Sequence, residues 1–151
     1  VDFCFSKGLG APVGSVITGS TEFIERARLN RRLVGGSMRQ SGVVAAAALY
    51  ALEHNWDRLA EDHDNARHLS EGLANIKGIA IDVPRMQTNL VFFDTSGTGM
   101  TAPDFAAKLR TLGVLVSVSD TWRGRACLHL DVTAAMVDEA LGAMREAARG
   151  A

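Results

Sequence analysis

The sequence predicts an α/β protein built on a small sheet that helices cover on one side. Short strand candidates alternate with helical segments in the C-terminal part, in the order β β α β β α. Ahead of them runs an amphipathic helix in which Leu59, His63, Ala66, Leu69, Leu73 and Ile76 recur at spacings of three and four. The composition agrees with a globular chain: 151 residues, 47% hydrophobic and 22% charged, which argues against disorder and against a disulfide scaffold.

Taken in order, Val1 to Phe5 reads as a strand that stops at Ser6-Lys7. Gly8-Leu9-Gly10-Ala11-Pro12 is a turn-forming stretch before a second strand, Val13 to Thr18. Ser20 or Thr21 caps a helix with Glu22 and Glu25 near its start, Arg26, Arg28, Arg31 and Arg32 towards its end, and Gly35-Gly36 as the stop. Gln40 to His54 is apolar nearly all round, the pattern of a helix buried on most faces. The amphipathic helix then covers Trp56 to Ile76 and ends at Lys77-Gly78.

Beyond it, Ile79 to Val83, Asn89 to Phe93, Val114 to Val118 and Ala126 to Leu130 are strand candidates. The interleaved helices run from Ala102 to Leu112, introduced by Thr101 and Pro103, and from Thr133 to Arg149, with Thr133 as cap. The change of texture near residue 55 marks a boundary between a lobe belonging to something larger and a compact subdomain. Val1 stands where an initiator Met is expected and leads straight into a strand, so a fragment or cleaved chain is expected.

Sixteen Lys plus Arg against seventeen Asp plus Glu leave a net charge of −1, and no global field selects nucleic acid or an anionic membrane as partner. Cys4 and Cys127 stand far apart without a Cys-x-x-Cys pair, which fits reduced thiols and offers no zinc framework. His63 and His68 lie five apart on one helix and so face different ways, and no metal site is expected. No signal peptide heads the chain, and the apolar run around Gln40 to Leu52 is shorter than the ~18–20 residues of a membrane span. A soluble, cytoplasmic protein is the resulting expectation.

Of three lysines, Lys77 and Lys108 fall on predicted helix surfaces, whereas Lys7 closes an apolar strand before a glycine-rich turn, a setting that can desolvate an ammonium. A deprotonated lysine amine attacks carbonyls and forms Schiff bases, including with pyridoxal phosphate (PLP). A lysine merely snorkelling from a strand end is the other reading. Dinucleotide and Walker templates fail, since Val13 replaces the third glycine and Lys7 precedes its glycines; no Gly-x-Ser-x-Gly elbow is present.

Between Glu22 and Arg39, five arginines against two glutamates give a local charge of +3. Pairs such as Glu22 with Arg26 and Glu25 with Arg28 could neutralise part of it. Arg39 follows the loop Gly35-Gly36-Ser37-Met38, where a guanidinium can fork onto a phosphate. Arg125 opens the late strand, and a planar cation at a strand edge suits capture of a carboxylate. Lysine nucleophile, phosphate arginine and carboxylate arginine together describe an enzyme acting on amino acids through PLP.

The stretch Cys4-Phe5-Ser6-Lys7-Gly8-Leu9-Gly10-Ala11-Pro12-Val13-Gly14-Ser15 resembles the lysine motif of the L-threonine aldolases of the low-specificity type, PLP-dependent enzymes of the aspartate-aminotransferase-like fold. The resemblance continues through Gly35-Gly36-Ser37-Met38-Arg39-Gln40-Ser41-Gly42, Leu59-Ala60-Glu61-Asp62-His63, Asn65-Ala66, Arg125 and His129-Leu130-Asp131-Val132. It implies the C-terminal part of a fold-type I PLP enzyme. Residues 1–55 would be the end of the large, cofactor-binding domain and 56–151 a small α/β subdomain.

By the same resemblance Lys7 carries the cofactor, Arg39 reaches its phosphate across a subunit boundary with Arg32 close by, and Arg125 binds the substrate carboxylate. The implied reaction is retro-aldol cleavage of threonine or allo-threonine to glycine and acetaldehyde, in a homodimer or homotetramer. The family's N-terminal half supplies a phosphate loop, a ring-stacking residue, an aspartate for the pyridine nitrogen and a second carboxylate arginine. None of those motifs is in the sequence, so the chain alone is expected to be inactive and poorly folded over its first 55 residues. Two alternatives stay open: another PLP lyase or a racemase on β-hydroxy or aromatic amino acids, and a non-enzymatic module in which Arg26 to Arg39 hold a phosphate or nucleic acid.

Overall fold

The computed structural model describes residues 1–149, arranged as two compact units, one over 1–57 and the other from Arg58 onward. The first unit opens with a two-stranded antiparallel ladder, β1 (Asp2–Cys4) against β2 (Ser15–Ile17), in which Phe3 faces Val16. Phe5 N donates to Gly14 O at 3.0 Å and extends the ladder by one rung. Helix α1 (Thr21–Leu33) starts where Ser20 accepts from Phe23 N at 3.3 Å, and it ends at Val34 before Gly35, whose φ is +78°.

Helix α2 (Gly42–Asn55) matches the apolar segment in length but not in burial. Ala51 is its one fully buried residue, while Val43, Leu49 and Tyr50 are exposed. The expectation of a helix buried on most faces is therefore corrected. Composition makes a helix able to be buried, and what packs on it decides whether it is.

The second unit holds a three-stranded antiparallel sheet of β3 (Leu90–Asp94), β4 (Ser117–Val118) and β5 (Arg123–Cys127) in the order β3-β5-β4. Helices α3 (Leu59–Ala74), α4 (Ala102–Thr111) and α5 (Ala134–Arg149) supply the rest of the core. Val91, Phe93 and Leu128 meet Leu69 and Leu73 of α3, Phe105 and Leu109 of α4, and Val137, Leu141 and Met144 of α5. Burying apolar side chains at about 25 cal/mol per Å² is the main stabilisation of such a layer. Thr101 caps α4, accepting from Asp104 N at 3.3 Å, and Thr133 accepts from Met136 N at 3.3 Å ahead of α5.

Three sequence expectations change here. The strand expected at Ile79 to Val83 shrinks to one bridge, Ala80 with Asp94, because Val83–Arg85 turns as a 3-10 helix around Pro84. Helix α3 begins at Leu59 rather than Trp56, after a turn at Asp57 and Arg58. On α3 it is Asp62, and not His63, that lies in the buried stripe with Ala66, Leu69 and Leu73. One residue turns a helix by about 100°, so a stripe drawn one residue off exchanges a core position for a solvent one.

The late strand is displaced as well. It runs from Arg123 to Cys127 instead of Ala126 to Leu130, and it is the central strand. Gly124 makes this possible: a Cβ at that position would run into the ring of buried Phe93. The sheet passes close under Phe93 where the residue pattern gave no alternation to mark it.

Candidate active site: a lysine loop and a sheet arginine

Lys7 sits in the connection between β1 and β2, half-buried, beside buried Gly8 and Leu9. This loop is built by hydrogen bonds. Ala11 N donates to Phe5 O and Gly10 N to Lys7 O, each at 2.9 Å, with Gly10 at φ +70°. Asn55, the last residue of α2, donates from Nδ2 to Leu9 O at 2.8 Å. The Lys7 amine itself has no hydrogen-bond or salt-bridge partner among the described residues.

Arg32 lies in the last turn of α1 and Arg39 in the turn that precedes α2, and both are exposed. Among the described residues neither joins an ion pair, and the pairs Glu22–Arg26 and Glu25–Arg28 do not form. The helix thus leaves its guanidiniums free for an external anion. Arg39 and the Lys7 loop stand at opposite ends of α2, since Asn55 closes the helix that Arg39 introduces; 14 residues at 1.5 Å each span about 20 Å. The structure therefore does not gather Lys7 and Arg39 around one point at either end of α2.

Arg125 belongs to the other unit. It is the third residue of β5, so the reading of an arginine at a strand opening and sheet edge is corrected to one at the sheet's centre. It stands opposite Phe92 on β3 and Ser117 on β4, which places all three side chains on one face. Nη2 donates to Ser117 Oγ at 3.4 Å, while Nε is buried without a partner. A buried donor left unpaired costs about 1–3 kcal/mol, while the Nη2 end of the half-buried side chain lies in an exposed setting.

Sequence reasoning missed Ser117, Phe92 and Asn55. No local signal marks them, because each acquires its neighbour through register or through a bond 46 residues long in sequence, as for Asn55 and Leu9. It also foresaw no contact between the motif blocks Leu59 to Ala66 and His129 to Val132, which Asn65 joins and Arg58, just ahead of the first block, reinforces. Arg58 Nη2 donates to Leu130 O at 3.5 Å and Asn65 Nδ2 to Val132 O at 3.1 Å. Beside them burial pushes the Asp62 carboxyl above its usual range, against the opposing pull of Arg58, His129 and His63.

Among the described residues no group of three or more His, Cys, Asp or Glu could hold a metal ion, and no helix is long and apolar enough to cross a membrane. Among the described residues the Lys7 amine and the Arg32 and Arg39 guanidiniums form no ion pair, while the buried atoms without a hydrogen-bond partner are Arg125 Nε and both Asp62 carboxylate oxygens. That donor set fits an aldehyde-bearing, phosphorylated cofactor, with the amine for the carbonyl carbon and the guanidiniums for the phosphate.

Solved structures share the fold. The aspartate aminotransferase of Rhizobium meliloti superposes with a TM-score of 0.60 at 21% identity, over 98% of this chain and 41% of the other. The 8-amino-7-oxononanoate synthase of Francisella tularensis gives 0.61 at 16% identity, over 96% and 44%. The fold is accordingly that of the C-terminal part of an aspartate-aminotransferase-like, fold-type I enzyme.

The family model described as Beta-eliminating lyase matches residues 1–96, and the chain belongs to that family. Among curated proteins, low-specificity L-threonine aldolase 1 of Arabidopsis thaliana is 43% identical over 148 residues, covering 97% of this chain and 41% of the relative. The low specificity L-threonine aldolase of Escherichia coli strain K12 is 43% identical over 130 residues, covering 86% and 37%. The chain spans about 40% of the length of the curated relatives it matches.

Proposed function

We propose that the chain carries the cofactor lysine and the carboxylate arginine of a PLP-dependent aldolase that cleaves threonine and allo-threonine to glycine and acetaldehyde. The observation that carries this reading is the hydrogen-bonded, glycine-containing loop that holds the half-buried Lys7, through Gly10 N to Lys7 O and Asn55 Nδ2 to Leu9 O. The relatives named L-threonine aldolase support it across nearly the whole chain.

In this reading the Lys7 amine holds PLP by its aldehyde carbon, and Arg39, with Arg32, neutralises the phosphate. When bound, PLP withdraws electrons from the substrate's Cα, which is the chemistry that weakens the Cα–Cβ bond. Arg125 takes the α-carboxylate and fixes which Cα substituent faces the reacting plane. Phe92 stands opposite Arg125 on the same sheet face.

We also propose a homodimer or homotetramer in the cytoplasm. What supports the oligomer is the separation of Arg39 from the Lys7 loop along α2, which suits an arginine that serves a neighbouring subunit's cofactor. A segment equivalent to the remaining 60% or so of the relatives' length is the expected source of the further cofactor and substrate contacts.

The description of the matched family favours a second reading, β-elimination on an amino acid. A chimera settles the matter, with this chain replacing the matched 41% of the Arabidopsis thaliana relative. Glycine and acetaldehyde from threonine, abolished by Lys7→Ala, support the aldolase. Release of ammonia and an α-keto acid instead would establish elimination.

A further inference from the structure

Leu9 is a buried residue two positions after Lys7, and its carbonyl oxygen is taken by the Asn55 side-chain amide at 2.8 Å. Three of the loop's other bonds are internal to residues 5–14: Phe5 N to Gly14 O, Ala11 N to Phe5 O, Gly10 N to Lys7 O. They give the loop its shape but do not fasten it to the helix layer. The Asn55 bond does so, from the last residue of a 14-residue helix, a rigid support.

From this geometry we infer that Asn55 is a positioning residue for Lys7. It fixes the loop against α2 so that the amine is presented at one place instead of being spread over the range a four-carbon stem allows. The inference rests on Lys7 being the cofactor lysine. An amide at this position is chemically specific, because Leu9 O needs a donor and the end of a helix offers only unpaired carbonyls. Alanine supplies no donor. Aspartate supplies one only when protonated, and when ionised it sets two acceptors against each other.

The test uses the whole chain incubated with PLP and reduced with borohydride. Pyridoxyl incorporation at Lys7, Lys77 and Lys108 is quantified by peptide mapping, and amide exchange at Gly10 and Ala11 is followed by NMR. The wild type labels Lys7 in preference to the other two. Asn55→Ala lowers Lys7 labelling by about five- to tenfold, speeds exchange at Gly10 and Ala11, and leaves Lys77 and Lys108 labelling unchanged. With cyanoborohydride, which tolerates acid, as reductant, Lys7 labelling of Asn55→Asp relative to the wild type at the same pH rises as the pH falls toward the carboxylate range, a relative rescue that a mere packing role would not produce.

If Asn55→Ala labels Lys7 as well as the wild type does, with Gly10 and Ala11 exchange unaltered, the positioning role is overturned and the cofactor reading stands. If the wild type shows no preference for Lys7, the cofactor reading fails and takes the positioning role with it.

Discussion

Arg125 and Ser117 face each other across the central and edge strands of the sheet, Nη2 to Oγ at 3.4 Å, while Nε of the same guanidinium is buried and unpaired. The arrangement separates stability from function. Arg125 is half-buried, and only its Nε is both buried and unpaired; replacing a cation whose buried part is poorly compensated by an apolar side chain of similar length is commonly neutral or stabilising. Arg125→Met should therefore unfold in urea within about 1 kcal/mol of the wild type, or later. Arg125→Lys keeps the charge and loses the fork, and in the chimeric aldolase it should raise KM for threonine about 10- to 100-fold.

Gly124 lies beneath Phe93, and a methyl group there has nowhere to go. Phe93 is 2% exposed and meets Phe105 edge-on with ring centroids 6.1 Å apart, so its ring cannot swing aside. Gly124→Ala should cost about 1–3 kcal/mol in denaturant unfolding. Trimming the ring with Phe93→Leu in the same chain should return part of that loss.

Gly78 combines two demands. Its φ of +89° disfavours any side chain, and a Cβ would approach Gly97 C and O at 2.8 Å. Gly78→Ala should lower stability by about 1–3 kcal/mol for the backbone alone, with the close approach adding to it. Gly97→Ala meets the same contact from the other side without the positive φ, and a smaller loss in thermal unfolding is expected.

Asp62 gives the second unit a pH dependence of definite sign. Its carboxyl is pushed up chiefly by burial, so the folded state binds the proton more tightly than the unfolded chain does. The group's contribution is fully present below the usual carboxylate value of about 3.8 and is lost as pH rises through the elevated folded value. Asp62→Asn removes this loss. The stability difference, variant minus wild type from urea curves, should grow between about pH 4 and pH 7, and a flat difference would contradict the assignment.

The helices were largely legible because their ends are written locally. Ser20, Thr101 and Thr133 each accept a backbone amide from the first turn, as their positions before apolar periodic runs foretold. The sheet was less so. Arg123 to Cys127 shows no apolar alternation, and its place as central strand follows from Phe93 packing on Gly124, a fact of tertiary structure. Lys7 and Arg39 could be singled out from their glycine-rich surroundings. The positions of Asn55 against Leu9 and Ser117 against Arg125 arise only once the chain has folded.

The central claim is that Lys7 is the residue that takes PLP, and mapping the reduced cofactor is its most direct measurement. Lys77 is exposed in the turn after α3, and Lys108 is committed to Ala147 O at 2.9 Å, so the three lysines differ in what their amines can do. Borohydride reduction of the PLP-treated protein should leave the pyridoxyl group on the peptide containing Lys7. Recovery of that group on Lys77 or Lys108 instead would contradict the account.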